Sequence, residues 1–237
     1  MSDETALLSA ICADPADDTA RLVFADFLQE HGGKVGDAWA RFVRAHVRLG
    51  TGTETVGDVP IVQRFGKDYW LKLFAERLGF PAGGAVLLED WERGFPNGLA
   101  ADYPVVREQW PVLIERVPFR QLRVGGIEDE AVEDLVMWPR LERLTSLDLT
   151  IWDGTLVPRT LSERGIAALT NCPALRGLES LRLSFLDVTD RVADLVLHSR
   201  YLTGLRNLVL RTDTSHPPPS RSAWDRLDAR FGDFVIQ

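Results

Sequence analysis

Three acidic residues around one tryptophan are the first side chains in the sequence that could do chemistry. Glu89, Asp90 and Glu92 flank Trp91, and glycoside hydrolysis requires a pair of carboxyl groups flanking the scissile bond. The segment runs into a predicted turn at residues 94–96, and no second acid can be identified opposite it. A solvated acidic strand therefore explains these residues better than an active site does.

The other potential nucleophiles and phosphate-binding groups lack the context that their chemistry needs. No serine has the G-x-S-x-G surroundings of a hydrolase nucleophile. The Gly50-Thr-Gly52 segment lacks the third glycine of a dinucleotide loop and the Lys-Ser/Thr of a phosphate loop. Cys172 follows Asn171 and precedes a proline, at a position where small residues pack. We therefore expect no catalytic residue and predict that the protein is not an enzyme.

Metal binding is not indicated either, because the cysteines and histidines have no ligand spacing and no HExxH, CxxC or EF-hand pattern occurs. His46 lies on the apolar face of a predicted helix, where a hydrogen-bonded core histidine is expected. His31 is expected to complement a helix C-terminus. The sequence thus predicts no metal and no cofactor; the residues considered are Cys12, Cys172, His31, His46, His198 and His216.

Composition and charge exclude several classes of protein. The 237 residues are 45% hydrophobic, and 35 acidic against 27 basic residues give a net charge of −8, which does not suit a nucleic-acid platform. Only three of the basic residues are lysines. No apolar run approaches the roughly 20 residues that span a bilayer, and the acidic start has no secretory n-region. These features predict a cytoplasmic protein without nucleic-acid or membrane partners.

The first 80 residues predict a helical cap domain. Helices are expected over 3–13, from the cap candidates Asp17 and Asp18 to Gly32, over 37–49 and over about 62–78. The apolar residues of these segments recur at helical spacing. The glycine- and threonine-rich stretch 50–60 is expected to be a loop.

Several short motifs resemble the bacterial repeat-companion domain family. The run from Asp17 to Gly32 (DDTARLVFADFLQEHG) is similar to the family pattern D-D-x-x-R-L-V-x-A-D-W-L-E-E-x-G, with Phe27 in place of the usual tryptophan. Further matches are Arg41-Phe42-Val43-Arg44, Trp70-Leu71, Arg93-Gly94-Phe95 and the stretch from Leu227 to Gly232. The resemblance implies an architecture associated with repeats and carries no activity.

From residue 118 onward the sequence repeats an L-x-x-L-x-L pattern that is typical of leucine-rich-repeat strands. Taking Leu122, Leu147, Leu181 and Leu208 as equivalents gives spacings of 25, 34 and 27 residues, the longest of which contains an insertion. A degenerate copy is expected around Leu99. Helices are expected over 128–138, 162–171 and 190–198, with a terminal capping helix at about 220–237. The predicted fold is α/β: a leucine-rich-repeat solenoid over 81–237, with parallel strands alternating with helices, behind the N-terminal helical cap domain at 1–80.

Alternation along each strand places one set of side chains on an open sheet face. A polar, mixed-charge surface without histidine or cysteine suits a protein partner, so we predict a non-enzymatic recognition module or adaptor. The candidate partner-binding residues are Arg123, Ser146, Asp148, Thr150, Arg182, Ser184, Asn207, Val209 and Arg211.

Three alternatives stay open at this point. The charged side chains on the open face could simply pair with one another across neighbouring strands. The chain could be a regulatory partner or proteolytic substrate of an enzyme, cleaved in the loops at 50–60 and 212–220. It could also be a structural subunit that assembles through Trp39, Trp70 or Trp152. The sequence leaves the oligomeric state and the identity of the partner undetermined.

Overall fold

The chain is an α/β protein in which mostly parallel strands alternate with helices after an N-terminal helical region, as the sequence predicts. A computed structural model describes residues 2–65, 68–80, 86–149, 161–184, 188–211, 220–231 and 235–236. Only the backbone is described for Asp68, Tyr69, Leu71, Ser184, Arg211 and residues 235–236. Thr150, Trp152, the predicted insertion and residues 212–219 of the predicted loop at 212–220 lie outside these ranges. No helix in the described part is long and apolar enough to cross a bilayer.

The chain divides into two compact units. The first comprises Met1–Leu99 and Glu108–Phe119, and the second comprises Ala100–Arg107 and Arg120–Gln237. The first unit begins with α1 (Asp3–Ala13), α2 (Asp18–His31), α3 (Gly33–Thr51), α4 (Asp58–Phe65) and α5 (Asp68–Leu78). Strands β1 (Val86–Glu92) and β2 (Phe95–Asp102) follow as hydrogen-bonded neighbours, and helix α6 (Tyr103–Arg116) follows them.

Several helix boundaries differ from the sequence expectation. Helix α3 begins at Gly33 and runs to Thr51, so it is longer than the predicted 37–49. The predicted loop at 50–60 is shorter, because α3 covers its first two residues and α4 begins at Asp58. Pro60 fits the first turn of α4, where a missing N–H leaves no hydrogen bond unmade. The expected single helix over 62–78 is divided into α4 and α5.

Aromatic side chains fill the core of the first unit. The Trp39 ring is completely buried, and its centroid lies 5.4 Å from that of Phe24, 5.2 Å from that of Phe74 and 5.4 Å from that of Phe95. Its indole N–H donates to the Gly94 carbonyl oxygen over 2.8 Å. Trp39 is therefore unavailable to the assembly surface that the sequence left open, whereas Trp70 is half-buried beside Phe74.

The second unit repeats a short structural module. A strand is followed by an α-helix and then by a 3-10 turn that leads into the next strand. The strands are β3 (Gln121–Gly125), β4 (Ser146–Leu149), β5 (Ser180–Ser184), β6 (Asn207–Arg211) and β7 (Val235–Ile236). The helices are α7 (Asp129–Leu135), α8 (Glu163–Thr170), α9 (Asp190–Leu197) and α10 (Arg221–Phe231), and the turns are Leu141–Arg143, Pro173–Gly177 and Leu202–Gly204. The three predicted internal helices and the terminal helix are present.

The strands of the second unit pair in parallel and in chain order from β3 to β7. Leu122, Leu147, Leu181 and Leu208, which the repeat pattern treats as equivalent, lie opposite one another in register. Each of these four residues is at most 2% exposed. The apolar positions therefore form one buried row, and the alternate positions form rows on the other face of the strands.

Candidate functional site

The candidate site is the face of strands β3 to β6 that the leucine row does not occupy. Its geometry depends on a hydrogen-bond pattern that recurs at the start of each strand. The N–H groups of Thr145 and Ser146 both donate to the Arg120 carbonyl, and those of Glu179 and Ser180 both donate to the Thr145 carbonyl. In the next repeat, the N–H groups of residues 206 and 207 donate to the Glu179 carbonyl. Each strand thus begins level with its neighbour, and equivalent side chains on neighbouring strands align in rows across the sheet.

The helices are joined by a second recurring contact. The acid that begins one helix binds the residue that caps the next helix. Asp129 accepts from the Ser162 hydroxyl at 2.5 Å, Glu163 accepts from the Thr189 hydroxyl at 2.8 Å, and Asp190 accepts from the Ser220 N–H at 2.7 Å. These bonds set the spacing of successive helices, and they include α10 as the last member of the array. The Ser220 contact also lowers the pKa of Asp190 below its ordinary value.

Backbone carbonyl groups at the carboxyl ends of α7 and α8 accept hydrogen bonds from side chains of the following repeat. The Cys172 thiol donates to the Val136 carbonyl at 3.6 Å, and the Ser199 hydroxyl donates to the Thr170 carbonyl at 2.5 Å. Cys172 is only 5% exposed. It therefore packs between repeats as a small donor, in agreement with the sequence interpretation.

The predicted partner-binding residues lie in register on the open face. One row contains Gln121, Ser146, Ser180 and Asn207, and the next contains Arg123, Asp148, Arg182 and Val209. Arg182 and Asn207 are exposed, whereas Arg123, Ser146 and Val209 are half-buried. Ser184 and Arg211 lie opposite each other in the paired backbones of β5 and β6, and Thr150 lies outside the described residues.

Asp148 departs from the expectation of a solvent-facing side chain, because the residue is only 8% exposed. The Arg123 guanidinium donates its Nε–H to Asp148 Oδ2 over 3.3 Å. Asp148 lies between two neighbouring strands, so the long side chain of Arg123 on β3 covers it. Cross-strand pairing, which the sequence left as an alternative, thus applies to Arg123 and Asp148.

Arg182 differs from Arg123 and Asp148, the other two charged residues in its row. It stands opposite Asp148 in the strand register, but within the part of the chain that the structure describes it forms no ion pair. Its side chain is exposed. Among the described side chains of the face, Arg182 is therefore a cation available to bind an external group.

The other residues that could do chemistry are placed in helices and strands, where their contacts serve packing and helix ends. Burial lowers the pKa of His46 to about 4, and its ring contacts Phe42 at a centroid distance of 4.4 Å, so it is neutral at neutral pH. His31 bonds the Phe27 carbonyl at the end of α2 at 3.2 Å. Glu89, Asp90 and Glu92 belong to β1. Among the described residues no cluster of three histidine, cysteine or acidic side chains could hold a metal ion.

Two motifs of the family resemblance, the run from Asp17 to Gly32 and Arg93-Gly94-Phe95, lie far apart in the sequence but contact each other within the first unit. Arg93 donates to Asp18 at 3.0 Å and to the Ala16 carbonyl at 2.8 Å. The Arg21 guanidinium lies over the Phe95 ring, 5.1 Å from its centroid, and burial lowers its pKa to about 10. These residues fasten the turn between β1 and β2 to the start of α2, which gives them a structural role.

The backbone at Gly94, between β1 and β2, requires glycine. Its φ angle is 82°, and a Cβ atom there would lie 2.5 Å from the Val43 Cα atom.

The Asp17 carboxylate caps α2 by accepting from the Thr19 N–H at 2.8 Å, which lowers the pKa of Asp17.

A cleft of about 440 Å³ lies at the carboxyl ends of α8 and α9. Several of its polar groups bond to neighbours: Asp194 accepts from Arg226 at 2.7 Å, and the His198 ring bonds the Asp194 carbonyl at 2.9 Å. Arg191 and Arg200 extend along its exposed rim. Among its described lining residues, the Ser199 hydroxyl donates to the Thr170 carbonyl and not to a base.

A scan of protein-family models finds no match to the chain, and a comparison with curated proteins finds none either.

Proposed function

We propose that the chain is a cytoplasmic, non-enzymatic recognition module: an irregular leucine-rich-repeat solenoid, similar to the repeat-companion family, that binds a protein partner through the open face of β3 to β6. The observation that supports this most is the alignment of polar side chains in two adjacent rows above a buried leucine row. A rigid grid of this kind presents many contacts at fixed spacing, so little conformational entropy is lost when an extended segment binds.

The repeat assignment is supported by contacts that recur in each module. The paired backbone bonds at the strand starts, the acid-to-cap contacts between helices and the Cys172 and Ser199 contacts occur at equivalent positions. Such nearest-neighbour contacts are what stabilise repeat arrays. The face is thereby held by backbone bonds and by contacts between helices, none of which uses its outward-facing side chains.

The test is the capture of partners by the tagged full chain in its native host, compared with variants of the face. Arg182→Glu and Asn207→Arg change exposed residues of the two rows, whereas Arg191→Glu changes an exposed residue of α9 and serves as the matched control. Asp148 is left unchanged because it is nearly buried. We expect a stoichiometric partner that both face variants lose and the control keeps.

Thermal midpoints within about 2 °C of the parent would show that the variants fold, since exposed substitutions change stability by about 0.5 kcal/mol or less. Retention of the same partner by both face variants would refute the assignment of the face. Equal loss from the α9 control would place the contact elsewhere on the chain.

A further inference from the structure

We infer that the partner segment is acidic and that one of its carboxylates binds Arg182; this inference rests on the proposed function of the open face. The Arg182 side chain is exposed and makes no ion pair with another described residue. It lies in the middle of the paired strands, between Asp148 on β4 and Val209 on β6.

The neighbouring acid cannot easily satisfy Arg182, because Arg123 already occupies it. Arg123 Nε lies 3.3 Å from Asp148 Oδ2, and the Asp148 side chain is only 11% exposed. The two charges offset each other, and the Asp148 carboxylate is shielded from a ligand, whereas the Arg123 side chain is 39% exposed. Of the three charged side chains in this row, Arg182 is therefore the exposed one that makes no ion pair with another described residue.

The wider face has the same sign. Among the described side chains at the outward-facing positions of the four strands, two arginines, Arg123 and Arg182, stand against one acid, Asp148. The whole chain has the opposite balance, with a net charge of −8. An acidic segment is consequently repelled by the chain on average and attracted at this face, which favours a defined docking position.

The residues around Arg182 indicate what else the segment offers. A guanidinium binds a carboxylate through two parallel N–H bonds. Asn207 adds an exposed amide one row away, and Val209 adds a half-buried apolar contact directly opposite Arg182. Four strands about 4.8 Å apart span roughly 14 Å, which an extended segment covers with four to five residues. The expected ligand is a short extended peptide with an Asp or Glu beside a small apolar residue.

The experiment uses a displayed library of random peptides of roughly 12 residues, long enough to cross the face, selected on the immobilised full chain. Selected peptides are synthesised together with versions in which each acid is replaced by its amide. Affinities are measured by fluorescence anisotropy against the parent chain, Arg182→Gln, Asn207→Arg and the control Arg191→Gln.

We expect selected peptides to be enriched in Asp and Glu. Arg182→Gln should weaken their binding roughly ten- to a hundredfold, because a hydrogen bond to a charged group is lost. Amide replacement in the peptide should weaken binding to the parent by a similar factor and have little further effect on Arg182→Gln. The Arg191→Gln control should bind as the parent does.

The two levels of the hypothesis fail in different ways. Selected peptides that lose binding to Asn207→Arg but contain no acidic residue would refute the proposal that the partner is acidic. The same holds for peptides that lose binding to Asn207→Arg but bind Arg182→Gln as tightly as the parent. In both cases the face would remain the binding surface. Peptides that are insensitive to both face variants, or a selection that yields no binder, would count against the face itself.

Discussion

Replacing Leu181 by alanine should destabilise the chain by about 3 to 4 kcal/mol. Leu181 is 1% exposed and lies in register between Leu147 and Leu208. The substitution deletes three carbon atoms, which account for roughly 2.4 kcal/mol of transfer free energy, and the cavity left between the two neighbouring leucines adds about another 1 kcal/mol. For a chain of this length that loss corresponds to a fall in Tm of roughly 6–16 °C.

The matched comparison is Arg182→Ala, one residue along the same strand. Its side chain is exposed, so we expect a change of about 0.5 kcal/mol or less. Urea unfolding followed by circular dichroism would measure both variants. A strand shifted by one residue would exchange the two faces; a large effect of Arg182→Ala together with a small effect of Leu181→Ala would therefore refute the face assignment on which the recognition surface depends.

Three further predictions concern stability. Gly94→Ala should lower Tm far more than Gly52→Ala, because its Cβ would meet the Val43 Cα at 2.5 Å whereas Gly52 has open space at a similarly positive φ; equal effects would contradict the close approach. Burial lowers the pKa of His46 to about 4, so the unfolded chain takes up this proton first and stability should fall as pH drops from about 6.5 towards 4; a His46→Gln variant should show a shallower fall in urea midpoint. Ser162→Ala removes the cap of α8 and should cost about 1 kcal/mol, measured by the urea midpoint; no change would show that the cap is dispensable.

The positions of the repeats could be predicted from the sequence because they depend on local periodicity. The pattern around Leu147 and Leu181 recurs with the strand period, and the segments between show the helical period. Cap residues such as Ser162 are equally local signals, since the side chain bonds the backbone two residues on. The terminal helix could be predicted for the same reason.

Helix α6 was missed because its prolines obscure a clear pattern. Pro104 lies in its first turn and Pro111 lies inside it, and proline is normally read as a helix end. Yet Val106, Trp110 and Leu113 are all buried at helical spacing. Weighing that spacing above the prolines would have found the helix.

The pairing within the face could not be predicted, because it depends on which of two equivalent neighbours reaches Asp148. Both Arg123 and Arg182 stand opposite this acid in the register. Alternation alone assigns all three side chains to one face and treats them as equally exposed. Which arginine reaches the Asp148 carboxylate depends on side-chain conformation, and sequence spacing does not contain that information.

This competition yields a prediction about a residue that need not touch the partner. Arg123→Gln removes the ion pair between Arg123 and Asp148, which favours pairing of Asp148 with Arg182. The Arg182 guanidinium would then be less available, so Arg123→Gln should weaken an acidic peptide selected on the parent chain.

An Arg123→Gln/Asp148→Asn double variant should restore much of that affinity, because the competing acid is also gone. Anisotropy titrations of the parent, the single variant and the double variant would measure the effect. Equal loss in the single and double variants would show that Arg123 contacts the peptide directly, and the reasoning from internal competition would then be wrong. Recovery in the double variant would instead mean that the balance of charges between neighbouring strands sets the affinity of the face.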